Sequence, residues 1–399
     1  MTLIRSIEGL RGVAALLVAL FHVYVYGKWG GLPARSEVLQ HAWLFVDLFF
    51  VISGFVMMAN YGGRIASARQ ATGYMIRRFF RLYPLHVVTT ASVLLAVVSV
   101  QTAKWAIGHF GISLGGAPPF AVDFFNPILL VLDVLLLQGV GILRLEIHNY
   151  PSWSISVEFW LYLIFALFVL GVRSRLLRIT LSLLIVAGCL FHFVELWAQV
   201  APELRTLDTR GLPRGLLSFF QGVLVYFLWS ALGGESVACR RPDVDGPIAA
   251  GVLSGLQLAS AWLAFWLVGR QEALGVAQLA IPSAFALLTL TLLPDRGVVA
   301  AALNTRPMQW LGRHSYSIYL VHITVQTLLD WPGRVVPEPA KHLVGLLYLA
   351  LVFGLAMLTY RYVEVPWRDY GKRIARRFET VRPTEPSLAM PAAARQSGS

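Results

Sequence analysis

The chain has 399 residues, of which 57% are hydrophobic and 14% are charged, with a mean hydropathy of +0.66. Soluble domains carry about 25% charged residues, so this composition excludes a soluble globular protein and predicts an all-α, polytopic membrane helical bundle. The net charge of +12 does not indicate nucleic-acid binding, because Arg and Lys cluster in short loops and the tail, as in cytoplasmic loops. The two cysteines give neither a disulfide framework nor metal-ligand spacing, and no metal is expected.

We predict about ten membrane spans, each near the ~20 apolar residues that cross a bilayer. In chain order they lie near Ile7–Tyr26, His41–Asn60, Leu82–Val100, Trp153–Leu170, Leu176–Trp197, Leu212–Ala231, Pro247–Val268, Leu274–Leu293, Ser315–Leu329 and His342–Tyr362.

One further apolar run, Pro127–Leu143, is ambiguous. If it spans, the count is about eleven, and the arginines after the Trp153–Leu170 span lie outside with the basic tail. If it is re-entrant or interfacial, the count is about ten, both termini are cytoplasmic and the basic clusters all lie inside, which the positive-inside bias prefers. Residues 1–370 then form one membrane-embedded domain. Residues 371–399 form a tail that is first basic and, from about Thr380, disordered, because it has few large apolar residues.

The first span carries Arg11 near one end and His22, which we expect near the middle of the apolar layer. These residues are eleven positions apart, so at 100° per residue they share one helix face with about 16 Å between them along the axis. Either side chain alone has an ordinary structural explanation, snorkelling for the arginine and an interhelical hydrogen bond for the histidine. Their shared face favours function, since imidazole is the usual proton acceptor at neutral pH.

The third span opens with RRFFRLYP, in which Arg78 and Arg81 are spaced i and i+3 on one helical turn. A plain topogenic cluster is the simpler interpretation. Two guanidinium groups at a membrane entrance also suit phosphate, which they bind bidentately. Together with a deeper histidine they indicate a ligand that is polyanionic at one end and reactive at the far tip of a long arm, as acyl-coenzyme A is.

Polar residues in three further apolar segments are candidates for supporting roles. Two carboxylates could orient His22: Asp47 in the second span and Glu158, which follows Ser154 by one helical turn. Glu158 could instead orient an acceptor hydroxyl. If Glu158 has only a structural role, it is an interfacial carboxylate. Asp47 must find a partner within the membrane, and Gly54 nearby permits close helix packing. Tyr319 and His322, spaced i and i+3, suit core hydrogen bonding at least as well as catalysis.

Six segments in this order resemble the acyltransferase 3 family of bacterial membrane O-acyltransferases. They are RGVAALLVALFH, VDLFFVISGF, RRFFRLYP, WSISVEFW, LGRHSYSIYLVH and YRYVEVPW, and they reach from the first span to Trp367. The family's Arg–ten residues–His pattern falls on Arg11 and His22. Its Arg-x-x-Arg falls on Arg78 and Arg81, and its Ser-x-x-x-Glu on Ser154 and Glu158.

The resemblance implies acyl transfer from cytoplasmic acyl-coenzyme A, with acetyl the default, to a hydroxyl of a carbohydrate or surface polysaccharide precursor in the bacterial inner membrane. Acyl-coenzyme A is then a substrate rather than a permanently bound cofactor. The lipid bilayer and glycan-assembly proteins are the expected partners, and nucleic acid is not.

Several alternatives stay open. Direct transfer with His22 as general base competes with a covalent acyl-histidine, and a proton-coupled exporter would also bury such groups. A non-catalytic scaffold would have less reason to align a cation and an imidazole on one helix face.

Overall fold

The computed structural model describes residues 4–26, 36–109, 126–141, 149–199, 211–234 and 247–379. These ranges contain helices and connecting turns and no strand. The α-helices are α1 Arg5–Phe21, α2 Glu37–Gln40, α3 Phe45–Tyr61, α4 Ala68–His109, α5 Pro127–Val134, α6 Trp153–Gly171, α7 Arg175–Gln199, α8 Gly211–Ala231, α9 Pro247–Gly269, α10 Ile281–Leu292, α11 Val298–Leu303, α12 Arg306–Val335, α13 Glu338–Thr359 and α14 Val365–Glu379. Short 3₁₀ segments cover Ala42–Leu44, Tyr150–Ser152 and Gln271–Ala280, and single π-helical turns cover His22–Tyr26 and Tyr360–Glu364.

The predicted spans correspond to long helices, which confirms the all-α polytopic bundle. Within the described ranges, nine helical segments are long and apolar enough to cross a membrane. Each contains one predicted span, and the tenth, Ser315–Leu329, lies in α12. This helix of 30 residues is about 45 Å long. It is less apolar than the others because it runs through the bundle interior, where Ser317, Leu320 and His322 are fully buried.

The segment Pro127–Leu143 does not form a single spanning helix in its described part. Helix α5 has 8 residues and is therefore about 12 Å long, too short to cross a bilayer. Turns follow it as far as Gly141, and Leu136 has a positive φ of 55°. This geometry matches the re-entrant or interfacial alternative. Residues 142–148 lie outside the described ranges, and the orientation of the termini stays a prediction.

Helix α4 is much longer than the span predicted within it. It has 42 residues and begins at Ala68, with Pro84 inside it. Arg78 and Arg81 therefore lie inside a continuous helix, ten and thirteen residues after its first residue, and their position at a membrane entrance stays a prediction. Helix α14 packs against α4, where Gly371 contacts the Phe80 side chain. The basic segment after residue 370 thus begins as a helix against the bundle, and the predicted disordered part from Thr380 lies outside the described residues.

Helix α1 packs closely along α12. Gly12 lies against the backbone of Leu311 and Gly312, and Gly312 in turn lies against the Glu8 backbone, so that a Cβ on either glycine would collide with main-chain atoms. Small residues at a helix crossing let two backbones approach in this way. The crossing fixes the two helices that carry Arg11, His22, Tyr319 and His322 relative to one another.

Helices α3 and α8 form a second close crossing, with Gly54 and Gly222 against backbone carbonyls of the other helix. Asp47 finds its partner there. Its carboxylate accepts hydrogen bonds from Arg214 Nε at 2.8 Å and Nη2 at 2.9 Å, and from Ser218 at 3.1 Å. Both charged side chains are fully buried, and the guanidinium lies over the rings of Trp43 and Trp153. Asp47 is therefore paired with Arg214 and not with His22, which we expected it to orient.

Asp47→Ala should lower the free energy of unfolding by about 3–5 kcal/mol, because it leaves the Arg214 cation buried without a counter-ion. The double change Asp47→Leu with Arg214→Met should recover most of this loss, since it removes both charges. Thermal unfolding in detergent measures both effects. Asp330→Ala is the control: its partner Arg334 is 60% exposed, so the change should cost below about 1 kcal/mol. An Asp47→Ala protein as stable as wild type would contradict a structural role for the pair.

Candidate active site

A cavity inside the bundle collects most of the predicted site residues. It holds about 640 Å³ of empty space between α1, α3, α4, α6 and α12. A second cavity, of about 1110 Å³, reaches towards Ile4 and Asn60 at the helix ends. The two adjoin, because they share the lining residues Arg11, Ile52, Val56, Arg81, Ser315 and Tyr316. We call the two together the arginine cavity.

Arg11 and Arg81 are the cations that line both parts of this cavity. Within the ranges that the structure describes, neither guanidinium makes a hydrogen bond or an ion pair. Each lies within electrostatic range of the other, so the two positive charges repel. A cavity with two such groups is suited to a polyanionic ligand, since guanidinium binds phosphate oxygens bidentately.

Arg78 lines the same cavity, as its spacing from Arg81 predicted, but it has fixed partners. It donates from Nη2 to the Tyr61 hydroxyl at 2.8 Å. Its guanidinium carbon lies 4.9 Å from the Tyr61 ring centroid, 5.6 Å from that of Tyr74 and 5.3 Å from that of Tyr162. Three aromatic faces stabilise this buried cation. Arg78 is thus partly a packing residue, unlike Arg81 one turn later.

Glu158 also lies in the arginine cavity. Its carboxylate accepts a short hydrogen bond from Tyr162 and one from Ser53 at 3.3 Å. These hydroxyls take the place of the predicted contact with His22. Ser154 lies one turn earlier on the same face, and its hydroxyl forms a hydrogen bond of 2.8 Å with the Tyr319 hydroxyl. Both of these hydroxyls also lie within 3.0–3.1 Å of the Pro151 carbonyl, and both residues line the cavity.

His22 lies next to His322, apart from the residues that line this cavity. It lies at the point where α1 changes into a π-helical turn, and its depth in the membrane stays a prediction. Such π turns are frequent at functional sites. The imidazole is 6% exposed and lines neither part of the arginine cavity. Tyr319, which does line it, has its ring centroid 6.0 Å from that of His322.

The two histidines form a pair. His22 Nδ1 lies 2.9 Å from the Val18 carbonyl and 3.3 Å from His322 Nε2, and the ring centroids are 4.8 Å apart. A carbonyl oxygen can only accept, so Nδ1 carries the proton and the lone pair of the neutral ring is on Nε2. This tautomer presents Nε2 as the basic atom. His322, an expected supporting residue, therefore packs directly on His22.

Comparison with known proteins agrees with this geometry. Residues 4–368 match the family model described as an acyltransferase domain, Acyl_transf_3. The chain belongs to the acyltransferase 3 family. It is therefore a multi-pass membrane acyltransferase. This membership favours an enzyme over the two alternatives, a proton-coupled exporter and a non-catalytic scaffold.

Named relatives are similar along most of the chain. BcsY of Komagataeibacter xylinus, whose assignment as a membrane-bound transacylase is itself provisional, is 28% identical over 92% of this chain and 84% of BcsY. The peptidoglycan O-acetyltransferase OatA of Listeria monocytogenes is 25% identical over 92% of this chain, which spans only 56% of OatA. The acyltransferase MdmB of Streptomyces mycarofaciens is 27% identical, over 80% of this chain and 78% of MdmB. No solved structure matches the chain.

Sequence reasoning missed Glu364, which lines the outer part of the arginine cavity. It lies in the π-helical turn between α13 and α14, is 7% exposed, and accepts a hydrogen bond from Ser317 at 2.9 Å. Arg81, Arg368 and Arg11 are within its electrostatic range. The sequence did contain a signal for Glu364, because an acidic residue within an apolar segment is costly and marks a candidate site. Tyr162 was also missed, although it lies one helical turn after Glu158.

Arg78→Ala and Arg81→Ala form a matched pair that separates packing from ligand binding. Arg78→Ala should destabilise the ligand-free protein by about 2 kcal/mol, because it removes a charged hydrogen bond and the contacts with three rings. Arg81→Ala should change stability by less than about 0.5 kcal/mol, since this side chain has no bonded partner to lose. Thermal unfolding of the detergent-solubilised proteins without ligand measures both. Equal losses in the two variants would show that Arg81 is also held by the protein.

Proposed function

We propose that the chain transfers an acyl group, acetyl by default, from cytoplasmic acyl-coenzyme A to a hydroxyl of a carbohydrate or surface polysaccharide precursor. The observation that carries this proposal is the arrangement of the arginine cavity. Two guanidinium groups that make no hydrogen bond or ion pair within the described ranges line it, and its lining also includes Ser154 and Tyr319, the second of which lies beside His322. This arrangement supports a donor whose phosphates and reactive tip lie far apart.

Arg11 and Arg81 would bind the phosphates of the donor, with Arg78 contributing positive charge from its tyrosine surroundings. The long pantetheine arm would then extend along α1, from Arg11 towards His22, a separation of about 16 Å along the helix axis. To reach the imidazole, the arm has to displace the contact between Ser154 and Tyr319, whose hydroxyls then become available to hydrogen-bond the thioester or the acceptor. Glu158 lies on the donor side in this arrangement.

His22 would act as the general base through Nε2. The acceptor hydroxyl gives its proton to Nε2 while its oxygen attacks the thioester carbonyl. The carbon–sulfur bond then breaks, and the departing thiolate takes the proton back from the imidazolium. The Val18 carbonyl and His322 support the ring, in the positions where Asp47 or Glu158 was expected. In the covalent variant Nε2 itself attacks the thioester carbonyl and expels the coenzyme A thiolate. The acceptor hydroxyl then attacks the acyl-imidazolium, which releases the neutral imidazole, and the hydroxyl proton passes to the thiolate.

The acceptor class and the location rest on the relatives and on the chain's hydropathy. OatA is named for O-acetylation of peptidoglycan, a carbohydrate polymer, which supports a sugar hydroxyl as acceptor here. Among sugars, the lipopolysaccharide O-antigen, exopolysaccharide, periplasmic glucan and lipid-linked oligosaccharide all carry suitable hydroxyls; a macrolide-like small molecule would lie outside the proposed class. A bacterial inner membrane would give the protein cytoplasmic acyl-coenzyme A on one side and glycan-assembly proteins as neighbours.

His22→Ala should leave the protein inserted and able to bind coenzyme A but reduce acyl transfer by about 10²–10⁴-fold, the usual contribution of general-base catalysis. The measurement is the rate at which label from [¹⁴C]acetyl-coenzyme A enters alkali-labile esters of membrane glycans. His192→Ala is the control, because that histidine lies on α7 away from the cavity. Transfer at the wild-type rate by His22→Ala would remove His22 from the mechanism.

Arg81→Ala should weaken coenzyme A binding by about tenfold or more, because it removes one of the charged hydrogen-bonding groups offered to the phosphates. The shift in unfolding temperature on titration with coenzyme A measures this affinity. Arg175→Ala, at the start of α7, removes the same charge elsewhere and should leave the affinity unchanged. If both variants bind coenzyme A as wild type does, Arg81 is not part of the phosphate site.

A further inference from the structure

We infer that Asn149, Tyr150 and Gln326 form the acceptor subsite and that this subsite recognises the neutral hydroxyls of a saccharide. The inference rests on the proposed function and adds to it the residues that select the acceptor. It places the acceptor beside the histidine pair, on the side away from the arginine cavity.

Asn149 carries a buried polar atom that the protein does not satisfy. The side chain is fully buried, and its Nδ2 donates to the Leu320 carbonyl of α12 at 3.3 Å. Because a carbonyl only accepts, the amide nitrogen must face Leu320, which leaves Oδ1 as an oriented acceptor. Within the described ranges Oδ1 has no hydrogen-bond partner. Leaving such an atom unpaired costs about 1–3 kcal/mol, which a donor from a ligand would offset.

Gln326 repeats this pattern at His22 itself. Its Nε2 donates to the His22 carbonyl at 3.0 Å, at the start of the π-helical turn. Its Oε1 has no partner in the described part of the chain, and neither has Nδ1 of His322, one helical turn earlier on the same face. The segment that carries Asn149 also approaches the histidines, since the Tyr150 ring centroid is 6.2 Å from that of His22. Gln326 and His322 therefore carry unsatisfied polar atoms next to His22, and Asn149 directly precedes the tyrosine that approaches its ring.

The chemistry of these groups favours a neutral polyhydroxyl ligand. Amide oxygens accept hydrogen bonds from hydroxyl groups without bringing a charge into the membrane interior. The Tyr150 ring, 45% exposed, offers an aromatic face on which the apolar side of a sugar ring can lie. An acceptor hydroxyl held by these oxygens would be oriented towards His22. A cationic or anionic acceptor would find no counter-charge among these three side chains.

The test uses membranes from a strain that lacks the gene and carries wild-type or variant protein. The donor is [¹⁴C]acetyl-coenzyme A, and the acceptor is the strain's own glycan fraction, freed of esters by mild alkali. Asn149→Ala should raise the glycan concentration for half-maximal transfer about tenfold, which is the effect of one lost hydrogen bond. The acetyl-coenzyme A concentration for half-maximal transfer should not change. Asn304→Ala is the matched control. Its amide donates to Asp295 at 3.1 Å and its Oδ1 also lacks a described partner, but it lies at the end of α11, before α12 begins, so neither half-saturating concentration should change in this variant.

If Asn149 had only a structural role, Asn149→Ala should change the half-saturating concentrations of the glycan and of acetyl-coenzyme A together, and this result would contradict the inference. If Asn149→Ala does not fold, Gln326→Leu takes its place with the same expectation, and wild-type dependence on the glycan in that variant would overturn the subsite. If wild-type protein puts no label into the glycan fraction, the sugar acceptor of the proposed function fails, and the saccharide subsite fails with it. If wild-type protein labels the glycan and both variants match it, only the subsite is wrong.

Discussion

Two guanidinium groups without counter-ions, inside a membrane bundle, are the constraint on which the site depends. Arg11 and Arg81 repel one another across a cavity, and the described part of the protein provides no ion pair for either. Charged side chains at such depth are expensive and occur where they meet a pathway or a ligand. Close packing of α1 on α12 and of α14 on α4 supplies rigidity to the helices that carry these two charges. Without that rigidity, the arginines could swing towards lipid headgroups.

Helix α1 sets the distance between the two halves of the chemistry. Its start carries Arg11, and its last turn before the π-helical segment carries the Val18 carbonyl that fixes the tautomer of His22. Helix α12 follows the same path and carries Ser315 and Tyr316 beside the arginines, then Tyr319 and His322 beside the imidazole. In the proposed mechanism, a donor that binds at the arginines is therefore presented to the imidazole at the other end of this helix pair. The contact between Ser154 and Tyr319 lies at the boundary of the two halves.

Much of this could be predicted from the sequence, because helical periodicity and hydropathy are local properties. The ten spans follow from hydropathy, and the turn shared by Arg78 and Arg81 and the turn shared by Ser154 and Glu158 follow from spacing along one helix. Partners between helices could not be predicted in this way. Asp47 pairs with Arg214, which is 167 positions away, and no spacing rule connects them. The π-helical turn at His22 and the eight-residue length of α5 depend likewise on packing that the local pattern does not contain.

Two of the three carboxylates that line the arginine cavity, Glu158 and Glu364, help to explain why its cations stay available. Glu158 and Glu364 are close enough to act on the arginines electrostatically, yet both are bonded to hydroxyl groups, to Tyr162 and Ser53 in one case and to Ser317 in the other. A direct salt bridge would neutralise a guanidinium and occupy the donors that a phosphate needs. Held by hydroxyls, each carboxylate lowers the cost of a buried positive charge without taking its hydrogen bonds. The bundle can therefore stay folded when the arginine cavity holds no ligand, and the cavity can still favour the binding of a polyanion.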